Sequence, residues 1–194
     1  MSKHSAVPPP RPQRGPAALS DLTGPDVKLA LDKMGVSIEA FQAFSKAEPT
    51  RLQHQLSGGD TEKVPLAYEG FLFILLQHPE YRAGKKPMDL PFAEWGIDPD
   101  LPGPRLGASP KARISGPKVK IALAEMGVSH QQFCFLAGVH DGRFHRFING
   151  SILEMPPLFW EAYLFIFANH PEYRTGNAML DLPLKDWGID VDPL

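Results

Sequence analysis

Several things are scarce in this chain, and each shortage removes a class of protein. Its 194 residues include one cysteine, Cys134, so no internal disulfide can form, and in an amphipathic helical pattern that thiol reads as buried and inert. The longest apolar runs, 71–76 and 162–168, fall far short of the roughly 20 residues needed to cross a bilayer. The first twenty residues lack the apolar stretch of a secretory signal. A cytoplasmic protein with no membrane partner is the expectation. Net charge is scarce too, at −2, so bulk electrostatics lend no support to nucleic-acid binding. Strand signals are weak: period-two alternation is rare and the breakers fall at helix-length intervals. There is no phosphate-cradling glycine loop, nucleophile triad, recurring carboxylate pair or cofactor fingerprint. No catalytic or cofactor-binding residue is expected, and an enzyme is the class least supported.

What the chain does have is a repeat. Residues 24–98 align without a gap with 116–190 at an offset of 92, and 33 of the 75 paired positions are identical. GPDVKLALDKMGVS answers to GPKVKIALAEMGVS, and DLPFAEWGID to DLPLKDWGID. Between 38 and 64 only Phe41, Arg51, Gly58 and Glu62 recur, 4 of 27 positions. A unit of this size exceeds the solenoid repeats of about 20 to 50 residues and approaches the smallest that buries its own core. The reading is therefore all-α, with two homologous small helical domains, 23–98 and 116–194, that share a scaffold and differ in their middles. Proline-rich residues 1–22 read as a flexible arm, and 99–115 as a Pro/Gly-rich basic linker. Arm and linker each carry +2, the repeats −3 and −2.

Each repeat has four helical signatures. Gly-Pro at 24 and 25, or 116 and 117, follows a candidate cap, Thr23 or Ser115. Val27, Ala30, Leu31 and Met34, matched by Val119, Ala122, Leu123 and Met126, lie on one helical face. Gly35 and Gly127 end this helix. Ser37 and Ser129 start the next, Ser129 with Gln132 as a capping box. A third helix is expected at 49–56 and 141–148, closed by Ser57-Gly58 or Asn149-Gly150 as a left-handed cap. The fourth, 65–77 and 157–169, is apolar on nearly every face and must be buried on more than one side, against the other repeat or by self-association with another chain. Trp95 and Trp187 in the closing segments read as core plugs.

The stretch 122–151 resembles the phage-repressor-like (lambda repressor-like) helix-turn-helix family. The matching elements are Gly127-Val128-Ser129, inward Phe133, Cys134 and Ala137, the turn Gly138-Val139, then Arg146-Phe147-Ile148 and Asn149-Gly150. Cys134 stands where the family usually has alanine. The resemblance implies that the second helix of the motif enters the major groove of double-stranded DNA. Its outward face would be His140, Asp141, Gly142, Arg143, His145 and Arg146, with Phe144 and Phe147 inward. Asp141 would accept from a base or cap the helix. Repeat one fits less closely: Lys46 replaces the turn glycine, and Thr50, Arg51 and His54 are the outward residues. Arg105, Lys111 and Arg113 would add phosphate or minor-groove contacts. The 17-residue linker, extended at about 3.3 Å per residue, reaches about 56 Å and would let the two heads meet separate half-sites.

These readings lead to a sequence-specific transcriptional regulator, a repressor by family habit, located in the cytoplasm with the nucleoid. A helical protein-interaction module, such as an adaptor or anti-regulator on the same scaffold, is the alternative, favoured by the acidic repeats and the very apolar fourth helix. His140 and His145 have no partners at ligand spacing and are not read as a metal site. The repeated His78-Pro79-Glu80-Tyr81-Arg82 and His170-Pro171-Glu172-Tyr173-Arg174 read as helix stops with a structural bridge.

Overall fold

The computed structural model describes residues 18–58, 62–100, 111–175 and 178–190. It is mostly helical, with one addition that the sequence did not announce: a two-stranded antiparallel sheet. The described elements run β1 Leu19–Thr23, α1 Gly24–Met34, α2 Ile38–Ser45, α3 Pro49–Ser57, β2 Lys63–Pro65 and α4 Ala67–Gln77, then α5 Gly116–Glu125, α6 His130–Ala137, α7 Asp141–Ile148, α8 Phe159–Asn169 and the single turn α9 Leu184–Trp187. One-turn 3-10 helices at Pro79–Tyr81 and Pro171–Tyr173 follow α4 and α8.

β1 corrects the boundary of the flexible arm. Leu19 pairs with Pro65 and Thr23 with Lys63, while Ser20 and Leu22 are buried. The second half repeats this register as a bridge between Lys111 and Pro157, each 92 residues on. Residues 19–22 and 111–115 thus belong to the packed structure rather than to arm and linker. Residues 1–17 and 101–110 lie outside the described residues.

Local chemistry explains the helix ends. Thr23 accepts from the Asp26 amide and its own amide donates to Asp26 Oδ2 at 2.8 Å, a complete capping box. Ser115 makes no such side-chain cap; its amide donates to Asp100 Oδ2 at 2.6 Å. Ser129 accepts from the Gln132 amide, but Gln132 Nε2 reaches away to the carbonyl of Tyr173 at 3.0 Å, so the expected box is only half formed. Gly150 is left-handed at φ 72°, whereas Gly58 is extended at φ −53°, ψ 153°. Arg82 and Arg174 fold back so that Nε donates to the carbonyls of Leu75 and Phe167, seven residues upstream in both cases. They thereby satisfy carbonyls at the ends of α4 and α8.

One continuous hydrophobic core contains residues of both halves. α4 packs against α8, which covers the apolar faces that invited self-association. His78 Nε2 lies 3.1 Å from His170 Nε2, and since residues 92 apart are counterparts, that contact marks a pseudo-twofold axis. Around it the pairs are reciprocal: Phe73 with Tyr173 and Phe165 with Tyr81, each at 5.4 Å between ring centroids. Such i-to-j and j-to-i pairing is the signature of an isologous interface. The seam is not perfectly symmetric. Tyr163 Oη donates to the carbonyl of Leu66 at 3.3 Å, and its ring occupies the space over Gly70, where a Cβ would come within 3.1 Å. Their counterparts are Phe71 and Ala162.

The closing segments tie the halves together again. α9 packs on α1 of the other half, and the amide of Asp100 donates to the carbonyl of Arg113 at 2.7 Å. Trp95 and Trp187 are buried as expected. The spacing of the halves is thus set by packed contacts, and the linker reach invoked for independent heads is not needed.

Candidate nucleic-acid interface

In each half the second and third helices are separated by three residues. Between α6 and α7 these are Gly138, Val139 and His140, and Gly138 is left-handed at φ 60°. A Cβ there would also sit 2.5 Å from Leu66 Cδ2 and 2.6 Å from Ala18 Cβ, so both backbone and space demand glycine. The first half has the same turn with Lys46 at φ 54°, the one left-handed non-glycine among the described residues.

α7 is sharply two-faced. Phe144, Phe147 and Ile148 are buried, with Phe144 and Phe147 both 5.2 Å from the Trp160 ring of α8. The other face leaves His140, Asp141, Gly142, Arg143 and Arg146 exposed and His145 half-buried. His140 caps the helix, Nδ1 accepting from the Gly142 amide at 3.2 Å. Asp141, read as a base contact or the cap, does not cap and lies 3.3 Å from His145 Nε2 one turn on. Arg143 lies over Phe147 at 5.8 Å, a cation–π contact that braces its stem. At the start of α6, burial and then the neighbouring His145 hold His130 below the usual histidine range.

α3 presents Thr50, Arg51 and His54, all exposed. Its N-terminal cap differs from that of α7. Glu48, the counterpart of His140, accepts from the amides of Arg51 at 2.7 Å and Thr50 at 3.0 Å, and those bonds hold its carboxyl below the usual range. The helix-terminal N–H groups that would receive a phosphate are therefore already occupied by a carboxylate. The sequence carried this difference at positions 48 and 140, but reading only the outward face passed over it.

The three cations expected on the linker fare differently. Arg105 lies outside the described residues. Lys111 pairs with Glu154 at 3.4 Å. Arg113 is committed inward: Nε donates to Glu161 Oε2 at 2.8 Å, Nη2 to the Met88 carbonyl at 2.8 Å, and the guanidinium covers Phe92 at 5.1 Å. Its amide donates to Glu161 Oε1. Glu161 is fully buried, and burial pushes its carboxyl upward against the pull of Arg113. Glu69, the counterpart of Glu161, is likewise held in a structural contact, accepting from Ser20.

Among the described residues no group of three or more His, Cys, Asp and Glu converges to hold a metal ion, and no helix is long and apolar enough to cross a membrane. No protein-family model matches the chain, nor does any curated protein or solved structure.

Proposed function

We propose that the protein is a sequence-specific double-stranded DNA-binding regulator that acts by occupying its site, with α7 as its principal reading helix. The observation that carries this reading is the division of labour on α7. Phe144, Phe147 and Ile148 are its buried residues, and the opposite face holds Arg143 and Arg146 with no carboxylate bridged to either among the described residues. Two arginines three apart share a helix face, and each can make a bidentate bond to guanine O6 and N7. Gly142 between them and the cap leaves room for close approach.

In this reading the two halves are homologous domains and α3 is a second, different head. Its Glu48 cap makes it the weaker one, contributing through Arg51, Thr50 and His54. Because the heads differ and their spacing is fixed by the α4–α8 seam, the preferred site is asymmetric. Repression follows from occupancy. The interaction-module alternative drew on the acidic repeats and on the apolar fourth helices, and the latter pack on each other within the chain.

Selection of bound sequences from random DNA tests the proposal. An asymmetric motif is expected, with binding that weakens steeply as salt rises. Arg143→Ala and Arg146→Ala each cost about 1–3 kcal/mol and relax specificity at one base pair; Arg51→Ala costs less. No enrichment, or binding unchanged in Arg143→Ala/Arg146→Ala, would sink it.

A further inference from the structure

Two imidazoles meet where α4 and α8 end, in an arrangement that helix packing alone does not require. His78 and His170 end α4 and α8, and their Nε2 atoms are 3.1 Å apart. On the far side of each ring a carboxylate approaches Nδ1: Glu80 Oε1 at 3.5 Å from His78 and Glu172 Oε1 at 3.2 Å from His170. An ionised carboxylate only accepts, so it draws the proton of a neutral imidazole to Nδ1. With both rings in that tautomer, two Nε2 lone pairs face each other, and the repulsion is relieved when a cation joins them.

A carboxylate behind the ring is also how proteins orient imidazoles that bind metals. The distance suits that role. At metal–nitrogen bonds of about 2.0–2.1 Å, a 3.1 Å separation subtends about 98° at the ion, and opening it to about 3.3 Å gives a tetrahedral angle. The rings are held upright by their neighbours, Phe165 against His78 and Phe73 against His170, each at 5.0 Å. Neither is sealed from water, at 20% and 17% side-chain exposure. Lys86 opposes a cation at His78, but the two carboxylates outnumber it.

The geometry points to a divalent-cation site at His78 and His170, of the imidazole-preferring kind that takes zinc, nickel or copper. Each half supplies one nitrogen, and the remaining positions are open to water or to a further ligand. Two protein ligands make an exchangeable site rather than a permanent one. Since the ligands end α4 and α8, the ion clasps the seam that spaces the two halves. The site stands independently of any DNA-binding role.

Zinc chloride titrated into the full chain after EDTA treatment tests this, with calorimetry and thermal unfolding as readouts. One ion per chain and a rise in Tm are expected. Both are lost in His78→Gln and in His170→Gln and kept in His130→Gln, while Glu172→Gln weakens binding about tenfold. Absence of binding, or binding that survives His78→Gln/His170→Gln, overturns the site and leaves the pair as a proton-sharing hydrogen bond. The unaltered chain gives a second readout in case the variants unsettle the seam. A small fraction of an equivalent of copper(II) should broaden the ring-proton NMR signals of His78 and His170 before those of the other five histidines. Broadening led by any other histidine overturns the proposal.

Discussion

Lys46 and Gly138 occupy the same place in the two halves, and only one of them suits its backbone. A left-handed conformation costs an L-residue about 1–2 kcal/mol, and Lys46 adopts it at φ 54° with its side chain exposed. Lys46→Gly should therefore raise stability by about 1 kcal/mol, read from urea unfolding, the relief of strain being partly offset by the added freedom of the unfolded chain. Gly138→Ala should do the reverse and by more, because it also drives a methyl into Leu66 and Ala18. Glu161 and Arg113 give a second test. A buried ion pair broken from one side costs about 3–5 kcal/mol, but Arg113 is 40% exposed, so Arg113→Met should fall below that range while Glu161 is left buried. Cys134 gives a third: burial and then Asp141 push its thiol up to about 12, so alkylation at pH 8 should be far slower in the native protein than after denaturation. The turn glycine and the inward phenylalanines were legible in the sequence because each obeys a local rule. The commitment of Arg113 was not, because its carboxylate partner stands 48 positions away.

At the scale of elements, the close crossing of the first and third helices of each half depends on one atom. A Cβ on Gly24 would lie 2.2 Å from the carbonyl oxygen of Gln55, and one on Gly116 would lie 2.1 Å from that of Phe147. These are backbone atoms and cannot swing aside, so Gly116→Ala must push α5 off α7. Overpacking of this kind costs about 1–3 kcal/mol, and on the proposed function the displacement should weaken DNA binding as well, since α5 supports α7. Circular dichroism melts and the binding assay check the two effects together. Helix positions were largely readable, α7 at 141–148 among them, because the turn glycine, the glycine stop and the periodicity agreed there even though the cap is His140 and not Asp141. The strands were not. β1 has five residues and β2 three, too few for alternation to declare itself, and β1 lay in a segment whose proline content argued for an arm. What makes it a strand is a partner forty or more residues away and the burial of Leu22.

For the whole molecule, a core shared by both halves predicts one cooperative unfolding transition, with the calorimetric and van't Hoff enthalpies equal. Two resolved transitions would mean that the seam contributes little. The seam also gives stability a pH dependence. Burial, the largest influence on His78, holds it below the usual histidine range, so the unfolded chain takes up that proton first. Stability should accordingly fall as pH drops through about 6.5 toward the folded-state value. With EDTA present, His78→Gln should remove part of that slope between pH 7.5 and 5.5. The sequence foretold that the fourth helices must be buried on several sides, and left open whether the other repeat or a second chain covers them. The choice rests on three-dimensional reciprocity, which a linear repeat does not encode.

The departure from symmetry at that seam has a genetic consequence. Tyr163 fills the space over Gly70 and donates to Leu66, whereas its counterpart Phe71 has no hydroxyl to return the bond. Copying the second half over the first would set an alanine under Tyr163, and copying the first over the second would delete the donor. The nearly identical stretches that flank the divergent middles are where recombination between the halves would begin, and its products would inherit a poorer seam. Conversion to two equal copies would therefore cost the seam either the space over Gly70 or the hydroxyl of Tyr163.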